Sequence, residues 1–191
     1  MKAFSGYNTV RASGDYVALE PGGYICEIKK ASETTSERNK EMHWLEVLID
    51  VKYGEFAGYY EDLYRSSTGD RKRWRGVLRV FIPRDDGSEN DERTKSNFKA
   101  FTTSVEESNP GYTWDWEEST LKGKEVGILF RNEEWEYNGK SGWTARPFRA
   151  CSVGRIEEGR FNVPKPKGLD KPKNPSSTFT SITGDDEELP F

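Results

Sequence analysis

Val77-Leu78-Arg79-Val80-Phe81-Ile82 reads as a β-strand closed by Pro83, and the segment after it changes period. Between Glu92 and Glu106 the apolar residues Phe98, Phe101 and Val105 fall at helical spacing, until Asn109-Pro110-Gly111 stops the helix. Leu121-Lys122-Gly123-Lys124 then turns the chain into Glu125-Val126-Gly127-Ile128-Leu129-Phe130, a second strand-like run. A strand, one helix and another strand are therefore consecutive, and the rest of the chain arranges itself around them.

Upstream, Tyr24-Ile25-Cys26-Glu27-Ile28-Lys29 follows Gly22-Gly23 and has strand character, and Ser32 to Lys40 reads as a loop. Met42 to Tyr53, with Trp44, Val47, Ile49 and Val51, predicts another strand. Gly54 and Gly58 punctuate Phe56, Tyr59, Tyr60, Leu63 and Tyr64, a pattern expected of a strand bent by bulges. Downstream, Asn138-Gly139 is a preferred pair for a tight hairpin turn because both residues tolerate positive φ, and the returning arm is expected from Trp143 to about Ile156. The segment up to Pro21 reads as an extended arm or an edge strand. The order is strand, strand, strand, helix, strand, strand. The expected fold is mainly β, an OB-like five-stranded barrel with one helix between strands three and four. Other small barrels and α+β folds share that order.

Composition sets the scale. The chain of 191 residues suits one domain and a tail; 33% of residues are hydrophobic against 32% charged, so the core is modest. Six Trp, nine Tyr and ten Phe make the apolar content unusually aromatic, which suits a β-rich fold or a surface that stacks on something flat. Pro164, Pro166, Pro172 and Pro175, interleaved with Lys, Ser, Thr and Gly, mark a change of character. Such a segment buries too little to offset its conformational entropy. The expected division is a domain over residues 1–163 and a flexible linker and tail over 164–191.

Charge points the same way. The net charge is −4, but Asp185, Asp186, Glu187 and Glu188 carry four negative charges, so residues 1–184 are formally neutral. A neutral body is compatible with a basic groove. Two constellations of cations and rings offer one. Arg65, Arg71, Lys72, Arg73, Trp74, Arg75, Arg79 and Arg84 surround the third strand. Arg131, Trp135, Tyr137, Lys140, Trp143, Arg146, Phe148 and Arg149 surround the last hairpin. Cations neutralise phosphates while rings stack on bases without reading sequence, the combination that single-strand binding requires. Trp74, Trp135 and Trp143, flanked by polar residues, are the expected stackers; Trp44, between His43 and Leu45, is expected to be packed. Some rings of each constellation must serve the core instead.

The last seven residues, Asp185-Asp186-Glu187-Glu188-Leu189-Pro190-Phe191, place an apolar tip after four carboxylates. Such a peptide suits a small pocket with a basic rim: the ring fills the hole, the terminal carboxylate pairs with Arg or Lys, and the acids steer the encounter. A solubilising tail would explain the charges but not the Leu and Phe. This tip resembles that of bacterial and phage single-stranded-DNA-binding proteins, departing from their all-Asp, Ile-containing form at Glu187-Glu188-Leu189. The folded part lacks the bacterial pattern and is similar instead to phage-encoded SSB-like proteins, at Gly23-Tyr24 and at Leu121-Gly123-Lys124. The resemblance implies a protein of phage DNA replication or recombination that holds single-stranded DNA and recruits replication and recombination proteins through Asp185, Asp186, Glu187, Glu188, Leu189, Pro190 and Phe191. The four carboxylates also imitate phosphates, so the tip is expected to compete with DNA for the groove.

Other chemistry has little to stand on. Cys26 and Cys151 lack CxxC spacing and the single His43 has no partner set, so no metal or cofactor is expected. There is no GxxxxGK[ST], HExxH or EF-hand pattern, and no enzyme activity is expected. Trp114-Asp115-Trp116-Glu117-Glu118 reads as a loop cap rather than a partner site. No apolar leader or membrane-length stretch is present, which predicts a cytoplasmic protein of a bacterial host with reduced thiols. A homo-oligomer is compatible with the chain, because edge-strand pairing leaves no mark in one sequence. The alternative function is a protein adaptor without meaningful nucleic-acid affinity.

Overall fold

The computed structural model describes residues 17–67 and 72–169, together with Ser5. It is mainly β: β1 (Gly22–Thr35), β2 (His43–Val51), β3 (Val77–Phe81), β4 (Glu125–Tyr137) and β5 (Lys140–Cys151) form one five-stranded antiparallel sheet in the order β3-β2-β1-β4-β5. Among the described residues, α1 (Tyr59–Ser66) joins β2 to β3, α2 (Glu89–Ser108) and a 3-10 turn (Glu118–Leu121) lie between β3 and β4, and α3 (Val153–Glu157) follows β5. The sheet curls so that its two edge strands, β3 and β5, lie against each other without a hydrogen-bonded ladder among the described residues.

Alternation writes the inner face. Leu45, Val47 and Ile49 of β2, Leu78 and Val80 of β3, and Val126, Ile128 and Phe130 of β4 are buried together. In β1 the inward set changes parity, from Cys26 and Ile28 to Ala31. A register shift between Ile28 and Lys30 opposite β2 inserts the extra residue that a parity change requires. In β4, Val126–Phe130 are buried on both faces. The outer face is covered by α3: a Cβ on Gly127 or Gly23 would stand 2.7 Å from Ile156, so that side chain sits where the two glycines leave room. The 20-residue α2 begins at Ser88, whose hydroxyl accepts the Asp91 N–H, and buries Phe101 and Val105 against the core.

Three elements differ from the sequence reading. The segment around Phe56 and Tyr60 is a turn and a helix, not a bent strand. Gly54 and Gly58 hold φ of +82° and +74°, conformations that end the strand rather than bulge it. The buried Asp50 of β2 then starts α1 from outside: Oδ1 accepts the N–H groups of Val51 and Tyr60, each at 2.9 Å, and Oδ2 that of Glu61 at 3.1 Å. The last two are donors that a helix start leaves without partners. β1 runs on to Thr35 before its loop. β5 stops at Cys151, where the chain turns into α3 instead of continuing to Ile156. Asn138 and Gly139, by contrast, form the expected tight turn, with φ of +50° and +71°.

The described chain also continues on the sheet beyond Pro164. Lys167 N–H donates to Asn132 O at 2.8 Å, Glu134 N–H donates to Lys167 O at 2.9 Å, and Leu169 N–H donates to the Glu134 carboxylate at 3.0 Å. This short strap lies parallel to β4, on the side that β1 leaves uncovered because its pairing starts at Gly22 opposite Phe130. Residues 170–191, including the acidic tip, lie outside the described residues.

Candidate nucleic-acid interface

Outside the sheet, β2 and β3 present a small aromatic and cationic surface. Since Leu45, Val47 and Ile49 point inward, Trp44, Glu46 and Leu48 point outward, and register places Trp44 beside Phe81 and Glu46 beside Arg79. The rings of Trp44 and Phe81 meet edge to face at 6.4 Å. The Arg79 guanidinium lies 5.0 Å above the Trp44 ring, with its Nε 3.8 Å from Glu46. Phe81 is 48% exposed, which is a large apolar area for an edge strand to show to water. The Trp44 indole N–H is shielded from solvent and has no acceptor.

The second surface is the outer face of the β4–β5 hairpin, where Arg131 and Arg146 stand directly opposite each other. The Arg131 guanidinium lies 4.1 Å from the centre of the Phe148 ring and donates through Nε and Nη2 to Glu133 Oε1, at 3.0 and 2.8 Å. The other oxygen of Glu133 is 3.9 Å from Arg146 Nε. Trp135 faces Gly142 across the strands and lies over it; a Cβ there would stand 3.0 Å from the indole. Tyr137 and Lys140 flank the turn, and Tyr137 is largely exposed. β3 and β5 are neighbours in space, so the two surfaces flank one seam.

The remaining sequence-designated residues are placed less uniformly. Trp74, expected to stack, instead donates its indole N–H to Ile49 O at 2.9 Å and packs its ring against the core and Tyr64. Trp143 pairs with Glu134 and therefore projects from the face of the hairpin opposite Trp135. Lys72 lies over the Tyr64 ring, Arg65 pairs with Glu61 along α1, and Arg84 with Glu41. Arg73, Arg75 and Arg149 are exposed, and Arg71 lies outside the described residues. Trp44, Phe81 and Glu133 are the residues that sequence reasoning left out of this surface. The signal for Trp44 was local: Leu45, Val47 and Ile49 face inward, so strict alternation puts it outside.

Elsewhere, Cys26 and Cys151 are free and buried, and burial pushes both thiols up from their ordinary value. Among the described residues no group of three or more His, Cys, Asp or Glu could hold a metal ion, and no helix is long and apolar enough to cross a membrane. No family model matches this chain, and no curated protein matches it.

Proposed function

We propose that this protein binds single-stranded DNA without sequence preference, that its sheet is an OB-like barrel left open between β3 and β5, and that it serves phage DNA replication or recombination as a non-catalytic binder. The strand order β3-β2-β1-β4-β5 with a helix between β3 and β4 supports the fold reading. The observation that carries the function is the position of the cations and rings. In OB-folds the face of strands two and three and the loops joining strands one to two and four to five bind oligonucleotides. Trp44, Arg79 and Phe81 lie on the second and third strands, and Tyr137 and Lys140 flank the turn between the fourth and fifth, which supports this reading.

Rings stack on bases irrespective of identity, at about 1–3 kcal/mol per base, and arginines pair with phosphates. The acidic tip would then bring partner proteins to the coated strand. The test is a tryptophan-fluorescence titration with oligo-dT and with duplex of equal length, at low and moderate salt. Quenching by oligo-dT at concentrations at least about tenfold below those needed for duplex, weakening as salt rises, is the expected result. A lack of response to oligo-dT at low salt would overturn the proposal and leave the adaptor reading.

A further inference from the structure

Two guanidinium groups directly opposite each other on an antiparallel pair repel, and such pairs destabilise a sheet. Arg131 and Arg146 are in that relation on the outer face of the hairpin. Glu133, two residues from Arg131 and on the same face, relieves it: one oxygen accepts two hydrogen bonds from Arg131 and the other approaches Arg146 at 3.9 Å. The Phe148 ring centre lies 4.1 Å from Arg131, so this guanidinium is held by a ring as well as by a carboxylate. The Arg131 side chain is 21% exposed and that of Arg146 51%, so the pair opens outward on the Arg146 side.

A carboxylate lying between a braced and a solvent-exposed guanidinium marks an anion site with its own resident. We infer that Arg131 and Arg146 form a phosphate clamp for the nucleic-acid backbone and that Glu133 is its built-in occupant, displaced when a strand phosphate arrives. The inference rests on the single-strand-binding reading and deepens it, singling out one phosphate position and a residue that lowers affinity. The carboxylate has two effects. It keeps the two arginines apart in charge while the site is empty, and it makes every bound phosphate compete with a tethered rival. Because Glu133 already offsets one of the clamp's two positive charges, phosphate binding there releases fewer counterions than two free arginines would, so this part of the site adds less to the salt dependence of the wild type.

The decisive comparison is Glu133→Gln against wild type in oligo-dT titrations over a series of salt concentrations, each protein also being melted alone. The side-chain amide keeps the shape and removes the charge. At low salt the variant should bind oligo-dT about three- to tenfold more tightly. Its log K against log salt slope should be steeper by roughly 0.7, the contribution of the one cationic charge that Glu133 had offset, on a single strand. Its melting temperature without DNA should fall, because the opposed arginines lose their mediator. Glu133→Gln with Arg146→Gln should return affinity and slope to the wild-type values or below. Unchanged affinity and slope in Glu133→Gln, with wild type binding normally, would overturn the clamp and leave Glu133 a purely structural carboxylate. If neither protein binds oligo-dT, the single-strand-binding reading has failed and the clamp falls with it.

Discussion

Replacing Asp50 with alanine tests the account of why α1 exists. The side chain is 2% exposed and accepts three backbone N–H groups, from Val51, Tyr60 and Glu61. Each donor left without an acceptor costs about 1–3 kcal/mol, and water entering at the start of α1 would recover part of the loss. A net destabilisation of about 2–4 kcal/mol follows, which lowers the melting temperature of a chain this size by roughly 4–16 °C. Asp50→Asn should lose less, because its remaining oxygen still serves Val51 and Tyr60 while its amide meets the Glu61 N–H as a second donor. The pH dependence has a definite sign. Burial, outweighing the hydrogen bonds from Tyr60, Glu61 and Val51, raises the Asp50 carboxyl above its ordinary value. A raised folded value contributes stability at low pH that is lost as pH rises through it, so the gap between wild type and Asp50→Asn should widen on acidification. Urea unfolding at several pH values, with midpoints compared at constant m, measures both effects. A loss below about 1 kcal/mol for Asp50→Ala would refute the claim that this carboxylate starts the helix.

Trp44→Ala should weaken oligo-dT binding by about 1–3 kcal/mol, roughly five- to 150-fold, in a fluorescence-anisotropy titration, while Trp74→Phe, which keeps a packed ring, should leave it within about twofold. Gly76→Ala should destabilise by about 1–3 kcal/mol or more in thermal unfolding, because its Cβ would stand 2.4 Å from both Ile49 O and the Tyr60 ring, in a space that neither can vacate cheaply. The Glu125 carboxyl is held below its ordinary value, first by its hydrogen bond from Lys52. Its contribution is therefore present above the unfolded value and lost as pH falls through the lowered one. Glu125→Gln should flatten that acid limb of the stability profile, read as unfolding midpoint against pH.

What the sequence made legible follows from how far each signal reaches. The strand runs, the helix marked by Phe98, Phe101 and Val105, and the Asn138-Gly139 turn are written within a few residues, and the structure holds each of them. The helix α1 is not written that way. Its aromatic residues and two glycines resemble a bent strand, and the group that starts it is Asp50 on a neighbouring strand. The surface divides similarly. The outward position of Trp44 and the opposite faces of Trp135 and Trp143 follow from alternation and a two-residue turn. The meeting of Arg131, Arg146 and Phe148 depends on the register shift between Leu129 and Phe130, which no local pattern announces. The packing of Trp74 is hidden from the sequence, because its neighbours there are polar while the carbonyl that accepts its indole N–H belongs to Ile49 on β2.

The strap formed by Lys167 and its neighbours bears on how the folded domain is isolated. Pro164, where the composition changes, is the natural place to cut, yet a cut there removes the donor to Asn132 O and the acceptor of the Glu134 N–H. A truncated protein would then show bare backbone groups along β4, which invite pairing with another molecule. Self-association of such a fragment would report the missing strap and not the native assembly, so a faithful truncation ends after Leu169.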